Sequence, residues 1–224
     1  MRNMKQVLAM MILPLFFTIS ACKKDVPNGP NDLGGETNIP LTQVGSVSSI
    51  YLTINGVNLP SAEMTVTRND DGIVTYHAEM DLTGDPDSAM YADLIPPEYK
   101  DENGMIVGDF EFKITSEGMQ DFFQSNKPWT IVKYDDGVGT EYPLTTDRGE
   151  ELVRTVTEKT GEDDWPLGFY YIKTSKVEEE NPPYMKEAAK ITYRANHRFG
   201  IVYMEVLLKD GNRAAVEVVP WFLL

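Results

Sequence analysis

Alternation of apolar and polar residues with a period of two dominates the chain from about residue 47 onward. The segment 110–115 reads Phe-Glu-Phe-Lys-Ile-Thr, which places its apolar side chains on one face of an extended strand and its polar side chains on the other. The segments 65–68 and 73–80 flank Asn69-Asp70-Asp71-Gly72, whose glycine can supply the positive φ of a tight reversal. This pattern predicts antiparallel strands joined by hairpins rather than helices.

The C-terminal third predicts a three-stranded meander. Strands are expected at 190–195, 199–208 and 214–219, and Lys209-Asp210-Gly211-Asn212 turns the second into the third. The middle run, Phe199 to Leu208, is apolar on both faces, so it needs cover on two sides of the sheet. We therefore predict a mainly β fold, either an antiparallel β-sandwich or a curled half-barrel.

One or two short helices complete the predicted fold. Ser116 is placed to cap a helix on which Met119, Phe122 and Phe123 share one side. Residues 88–94 are expected to form one or two helical turns. Residues 150–159 fit neither period well, so helix and strand both stay open there.

The first 22 residues have the organisation of an export signal. Arg2 and Lys5 precede an apolar run, Val7 to Phe17, that is too short to span a membrane. The next segment, Ile19-Ser20-Ala21-Cys22, resembles the lipobox of bacterial lipoproteins, and Cys22 is the only cysteine of the chain. The resemblance implies cleavage after Ala21, a diacylglycerol on the Cys22 sulfur and a further fatty acyl chain, such as palmitate, on the new amino terminus. Such an anchor is effectively permanent.

The signal divides the chain into three predicted parts. Residues 1–21 are the signal peptide, residues 22–46 are a lipid-anchored flexible tether rich in Pro, Gly, Asn and Asp, and residues 47–224 are the β-rich domain. The opening Cys-Lys-Lys-Asp is similar to that of many Bacteroidota lipoproteins, which implies an outer-membrane location. The sequence is consistent with a domain on either the periplasmic or the surface face of that membrane, because a single acidic residue follows the two lysines.

The charge of the chain limits its partners. Removal of residues 1–21 takes away two basic and no acidic residues, so the formal net charge moves from −15 to −17. This charge repels phosphate backbones, and we expect no nucleic-acid partner. With Cys22 lipidated, no cysteine is left for a disulfide or a thiolate metal site. The expected partners are the membrane, through the anchor, and a hydrophobic ligand or an envelope protein.

A second resemblance concerns the fold and covers residues 129–208. Ile131-Val132-Lys133-Tyr134 leads into Gly137-Val138-Gly139-Thr140-Glu141-Tyr142, and Phe199-Gly200-Ile201-Val202 follows much later. This spacing is similar to exported β-rich proteins with a lipoprotein-carrier-like half-barrel, in which a hydrophobic strand enters a Val-Gly-polar-aromatic turn. The resemblance implies a fold more than an activity.

No group of residues in the sequence predicts catalysis, a metal site or a cofactor, and we expect the chain not to be an enzyme. His77 and His197 lack partners at the short spacings that metal sites use, so both are expected to be solvated. Solvated loops are also favoured over calcium sites for three acidic clusters. These clusters are Asp81, Asp85 and Asp87; Glu162, Asp163 and Asp164; and Glu178, Glu179 and Glu180.

Aromatic residues supply the only candidate ligand-binding positions. In β-rich domains such residues usually belong to the core or to cross-strand pairs. Trp165 is an exception because it lies between Asp163-Asp164 and Pro166, in an expected loop where a large aromatic has less structural reason to be. Trp165, Tyr170 and Tyr171 are therefore the candidate ligand-binding residues, as a sugar-stacking platform or the lining of an apolar pocket.

Three functions are consistent with the sequence. The leading hypothesis is a membrane-tethered, non-enzymatic domain that binds a ligand or a protein partner, and an apolar cavity would favour it. The alternative is a scaffold or assembly component of an outer-membrane complex, which a flat exposed apolar patch would favour. A glycan hydrolase with two facing carboxylates is third. For the interior, a core filled by the Met119-Phe122-Phe123 helix is favoured by a small margin over an open groove for an acyl chain.

Overall fold

The computed structural model describes residues 29–81, 100–103, 105–124 and 126–221. Within them the chain forms fifteen strands and one short 3-10 helix, Pro40–Thr42. The strands are β1 (Val47–Ile54), β2 (Val57–Asn58), β3 (Ala62–Asp70), β4 (Ile73–Met80), β5 (Ile106–Ile114), β6 (Gly118–Asp121), β7 (Trp129–Lys133), β8 (Glu141–Thr145), β9 (Glu151–Lys159), β10 (Trp165–Leu167), β11 (Tyr170–Ile172), β12 (Ser175–Glu180), β13 (Ala188–Asn196), β14 (Gly200–Leu208) and β15 (Arg213–Pro220).

Thirteen strands form one antiparallel sheet that curls into a nearly closed half-barrel. Its order is β7-β6-β5-β4-β3-β1-β15-β14-β13-β12-β9-β8, and β2 pairs with β1 beside this path. Strands β10 and β11 form a separate two-stranded sheet. Strand β1 lies between β3 and β15, so the first long strand pairs with the last. The predicted mainly β, curled half-barrel fold is confirmed.

The β3–β4 hairpin turns where the sequence predicts it. Asp71 and Gly72 adopt positive φ values of 49° and 87°, and the Asn69 side chain accepts a hydrogen bond from the Gly72 N–H at 2.9 Å. A glycine is needed at position 72 because a β-carbon there would lie 2.7 Å from the Thr37 side chain. The turn is therefore fixed both by its own conformation and by the N-terminal segment packed on it.

Side chains join the two edge strands, β7 and β8, where the sheet comes full circle. The Asn31 Oδ1 atom accepts from the Thr130 N–H at 3.0 Å, and its Nδ2 donates to the Pro143 carbonyl at 2.6 Å. The Lys133 N–H donates to the Tyr142 hydroxyl at 3.1 Å. These contacts satisfy backbone groups that a neighbouring strand would otherwise pair, so they protect both sheet edges. We call this junction the seam.

Residues 29–46 differ from the predicted flexible tether because they lie against the sheet. Leu33, Leu41 and Thr42 are buried, and the Tyr76 hydroxyl donates to the Leu41 carbonyl at 3.1 Å. The tract is polar overall, but its few apolar side chains and its backbone groups find partners at the strand ends. The packed part of the chain thus includes residues 29–46, whereas residues 1–28 lie outside the described residues.

Residues 29–46 mark one end of the half-barrel, which we call the proximal end. Strands β1, β4, β6, β8, β12 and β14 begin there, and β3, β5, β7, β9, β13 and β15 end there. The Lys133 side chain reaches the Gly29 carbonyl at this end. The described chain therefore enters the half-barrel at its proximal end.

The predicted helix after Ser116 is wrong, because its residues contain strand β6. All four residues of β6 are buried, since Leu33 covers Gly118 and the concave side of the sheet takes Met119. A strand buried on both faces has no polar and apolar alternation, so its apolar spacing resembled that of a helix. Residues 150–159, left open by the sequence, contain strand β9. The predicted helical turns at 88–94 lie outside the described residues.

The run from Phe199 to Leu208 has cover on both faces, as its sequence requires. On the outer face, Val202 and Val219 pack with Leu167 and Ile172 of the β10–β11 hairpin. On the inner face, Ile201 and Met204 border a cavity. The two-stranded sheet of β10 and β11 therefore covers the outer face of β14 and β15.

Candidate functional site

A cavity of about 200 Å³ lies on the concave face of the half-barrel. Alternate residues of β5, namely Gly108, Phe110, Phe112 and Ile114, line one wall. Side chains from β1, β3 and β4 extend this wall, and β14 and β15 supply the opposite one. Because strand side chains alternate between faces, one apolar register in each strand is enough to build the cavity.

The cavity lining is almost wholly apolar. Its polar residues are Ser48, Glu79 and the tyrosines Tyr76 and Tyr193. The Tyr76 hydroxyl donates to a backbone carbonyl, and the Tyr193 hydroxyl accepts from Arg154 at 3.3 Å. Burial raises the pKa of both tyrosines above the usual range, so they stay neutral. This surface offers water few partners and favours an apolar occupant.

The size of the cavity suits a small apolar molecule or part of an acyl chain. An apolar protein cavity of about 150 Å³ stays dry and takes benzene, and this cavity, at about 200 Å³, is larger. Met64, Met80 and Met204 are partly exposed while lining it. Methionine side chains adapt readily to ligand shape, so the partly exposed side of the cavity can adjust to an occupant.

The open cavity corrects the favoured expectation of a filled core. Met119 and Phe123, expected on a helix that fills the interior, instead lie on β6 and the turn after it and line the wall. The Phe123 ring packs edge-on against Phe112 at 5.5 Å, and Phe112 packs against Tyr76 at 6.1 Å. These aromatic contacts hold the rings along the wall, so they do not fill the centre.

A buried ionic cluster lies directly behind the cavity wall. The Arg154 guanidinium is 2.8 Å from Asp121 Oδ2 and 3.5 Å from Glu179 Oε2. It also lies 3.6 Å from the centroid of the Trp129 ring and donates to the Tyr193 hydroxyl. Tyr193 therefore touches both sites, because its ring lines the cavity and its hydroxyl meets the cluster.

The cluster brings one cation together with two carboxyl groups. Asp121, Arg154 and Glu179 are each at most 1 % exposed. Burial raises the pKa of Asp121, against the attraction of Arg154. Burial likewise raises the pKa of Glu179 to about 7, although Arg154 and the Tyr184 hydroxyl oppose the shift. Asp121 has the closer contact with Arg154, and a pKa of about 7 leaves Glu179 partly protonated near neutral pH.

The ionic cluster joins distant parts of the sheet. Its members come from β6, β7, β9, β12 and β13, and Arg154 Nη1 also donates to the Trp129 and Thr130 carbonyls at 3.4 Å. A buried ion pair contributes little net stability but is costly to break. The cluster thus fixes the strands around the seam rather than presenting reactive groups to solvent.

The candidate ligand-binding residues lie outside the cavity lining. Trp165, Tyr170 and Tyr171 belong to the β10–β11 hairpin on the outer face. The Trp165 ring packs against Tyr203 at 5.4 Å and beneath the Arg194 guanidinium at 4.3 Å. Tyr170 and Tyr171 are 55 % and 66 % exposed. The predicted lipidation residue, Cys22, lies outside the described residues.

The remaining polar candidates are at the surface, with one exception. His77 lies between Asp109, at 2.7 Å, and Glu79, at 3.1 Å, and hydrogen bonding to Asp109 raises its pKa. His197 and residues 162–164 are exposed. The acids 178–180 are on strand β12 rather than in a loop, and Glu179 points into the buried cluster. Asp85 and Asp87 lie outside the described residues.

The sequence carries a signal for the ionic cluster in the register of its charged residues. Arg154 has the same register as the buried Leu152 and Val156 on β9, and Glu179 has the same register as Val177 on β12. A charged residue in the inward register of a strand must find a buried partner. No such signal exists for the cavity, which depends on how far apart the curled walls lie.

No helix among the described residues is long and apolar enough to cross a membrane. No group of three or more His, Cys, Asp or Glu residues in the described ranges could hold a metal ion.

The fold and its cavity define a class, an antiparallel half-barrel with an apolar concave pocket. No protein-family model matches the chain, and no curated protein matches it. Among solved structures, the chain is similar to a crystal structure from Bacteroides fragilis of a protein with a YmcC-like fold that is proposed to be exported. The two chains are 10 % identical, the match covers 80 % of this chain and 96 % of that one, and the TM-score is 0.42.

Proposed function

We propose that this chain is an exported envelope lipoprotein whose half-barrel binds an apolar ligand without chemical conversion. The observation that supports the binding function is the apolar cavity of about 200 Å³ on the concave face. Export and attachment at Cys22 to the outer membrane are proposed from the signal-like N-terminus. The proposal includes no cofactor and no nucleic-acid partner.

The ligand is proposed to be an acyl chain or a molecule of similar shape and polarity. A lining that is mostly Phe, Met, Ile and Val side chains offers dispersion contacts and few directional ones. Such a site selects for apolar character and length rather than for a particular head group. We therefore expect the cavity to bind a range of apolar molecules.

The glycan hydrolase is not favoured by the positions of the carboxyl groups. Asp121 and Glu179 are brought together around Arg154, but both are buried and neither borders an open cleft. A glycosidase needs two carboxyl groups that flank a bound sugar. The proposed function therefore contains no hydrolytic step.

A cavity-filling substitution tests the binding function. Ala78 lines the cavity on β4, and Ala78→Leu fills part of it. The matched control is Ala215→Leu, because Ala215 is equally half-buried on β15 but does not line the cavity. The measurement is uptake of a fluorescent fatty acid by the Cys22→Ala chain produced without residues 1–21. We expect Ala78→Leu to lose uptake and Ala215→Leu to keep it.

Native mass spectrometry of the same protein, purified without detergent, gives a second result. A retained apolar mass that disappears in Ala78→Leu supports the proposal. A bare chain that takes up no fatty acid contradicts it.

A further inference from the structure

The apolar side chains that the fold leaves exposed are not scattered over its surface. Among the described residues, every large apolar side chain that is more than half exposed lies outside the thirteen-stranded sheet, in a segment that begins or ends at the proximal end of the half-barrel. We call this set the proximal rim. Its members are Val44, Val138, Phe169, Tyr170, Tyr171 and Trp221, with exposures from 55 % to 88 %.

The rim comes from four separate segments that precede, join or follow strands of the sheet. Val44 precedes β1, Val138 lies between β7 and β8, and Trp221 follows β15. The other three residues belong to the β10–β11 hairpin, where Phe169 is in the turn and Tyr170 and Tyr171 begin β11. Nothing in the local sequences requires these four segments to be apolar together. A shared apolar surface at one end of a domain indicates a common contact.

The chain itself indicates what this surface contacts. Residue 29, the first described residue, lies at the proximal end beside Lys133. Cys22 precedes it by seven residues, a length that spans at most about 25 Å when fully extended. A lipid anchor on Cys22 therefore keeps the proximal end within about 25 Å of the bilayer.

The residue types of the rim suit a bilayer interface. Tyr and Trp concentrate at the boundary between head groups and hydrocarbon, where the ring is apolar and its hydroxyl or N–H stays hydrated. We infer that the proximal rim inserts into the bilayer interface and orients the half-barrel on the membrane. This inference rests on the proposed lipidation of Cys22.

The charges around the rim define the kind of membrane surface. Glu162, Asp163, Asp164 and Asp135 are exposed near the rim, and they outnumber the exposed cations Lys173 and Arg198 at the same end. These carboxylates repel anionic lipid head groups. The rim therefore inserts into a zwitterionic interface, and anionic lipid weakens the insertion.

Fluorescence quenching of the lipidated full-length mature protein tests the inference. The protein is reconstituted into phosphatidylcholine vesicles that carry brominated acyl chains, which quench tryptophan at the interface. Of the three tryptophans, Trp129 is fully buried and Trp165 is half-buried, whereas Trp221 is 60 % exposed on the rim. We expect the bromolipids to quench the tryptophan fluorescence of the native protein. Trp221→Phe should remove this quenching, and phosphatidylglycerol in the vesicles should reduce it.

Paired substitutions separate the rim from general surface hydrophobicity. Phe169→Ser and Val138→Ser are expected to reduce Trp221 quenching, whereas Val57→Ser is not. Val57 is an exposed valine on β2 at the distal end. Equal quenching in all three variants overturns the inference.

Vesicle flotation separates failure of the rim from failure of the anchor. Protein that floats with vesicles but shows no quenching of Trp221 overturns the rim insertion and leaves the anchor in place. Protein that neither floats nor carries labelled fatty acid overturns both. Shielding of Trp221 by a copurified envelope protein in the absence of lipid also overturns the insertion, because the rim is then a protein interface.

Discussion

The indole Nε1 of Trp129 donates to the carbonyl oxygen of Tyr142 at 2.8 Å, which joins the two ends of a curled sheet. Trp129 is the first residue of β7 and Tyr142 lies on β8, and both are buried. The bond belongs to a group of side-chain contacts, with those of Asn31 and the Tyr142 hydroxyl, that close the half-barrel where no strand ladder does. The stability of the seam therefore depends on particular side chains.

Trp129→Phe is expected to lower the free energy of unfolding by about 1–3 kcal/mol, because the buried Tyr142 carbonyl loses its donor. Chemical denaturation measures the loss. Trp165→Phe is the matched control, since the Trp165 Nε1 is buried without a hydrogen-bond partner in the described structure. Equal losses in the two variants would show that the indole bond does not stabilise the seam.

Arg154→Met is expected to cost about 3–5 kcal/mol in the free energy of unfolding, because it leaves two buried carboxyl groups without a cation. A triple variant that adds Asp121→Asn and Glu179→Gln to Arg154→Met should recover part of this loss. A double-mutant analysis then measures the coupling between Arg154 and the two carboxyl groups. Arg194→Met serves as the control, because its partner Glu158 is 43 % exposed and such pairs contribute about 1 kcal/mol or less. A triple variant no more stable than Arg154→Met would contradict the proposed coupling.

The raised pKa of Glu179 makes stability depend on pH in a defined direction. The folded protein holds the Glu179 proton more tightly than the unfolded chain, with a pKa of about 7 against 4.5. The stabilisation that the protonated Glu179 side chain gives the folded state is complete below pH 4.5, and it is lost as the pH rises to about 7. Glu179→Gln cannot titrate, so its stability relative to the native chain should rise by about 3 kcal/mol across this window.

The neighbouring Glu178 gives the opposite expectation. Burial opposes ionisation of Glu178, but hydrogen bonds from Lys176 and Lys190 hold its pKa below the usual value. Its stabilising contribution is present above pH 4.5 and is lost as the pH falls through the folded-state value. Glu178→Gln should therefore be less stable than the native chain at neutral pH and equal to it in acid. Urea denaturation at several pH values measures both variants, and a common pH profile would contradict the assignment.

Cys22→Ser is expected to abolish incorporation of labelled fatty acid and cleavage of the precursor, because the hydroxyl does not replace the thiol that accepts the lipid. Growth with labelled palmitate followed by gel fluorography measures both effects. Label that persists on the serine variant would contradict lipidation at Cys22.

The strands and the turns between them could be predicted from the sequence because a half-buried strand has a period of two. Segments 65–68, 73–80 and 110–114 show that period, and all three lie in strands of the structure. Strand β6 could not be recognised in this way, since Leu33 covers one of its faces and the cavity borders the other. A strand loses its pattern when both faces are buried.

The candidate site was less predictable than the fold. Arg154 and Glu179 were identifiable in principle from their inward register, whereas Trp165, Tyr170 and Tyr171 stood out only by composition. The cavity arises from the distance between walls that are remote in sequence, and packing at that range is not encoded in any local pattern. The position of residues 29–46 was missed for the same reason, because their partners lie up to 112 positions further along the chain.

Pairing of β1 with β15 has a consequence for the order of events during synthesis. A chain that emerges with its amino terminus first exposes β1 long before β15, so one edge of β1 must wait for residues 214–220. Asn31 waits in the same way for Pro143. Completion of the sheet is thus a late step governed by long-range contacts, and the central strand β1 keeps one unpaired edge throughout this interval. A chaperone that binds extended segments would therefore act on this chain mainly before β15 has been synthesised.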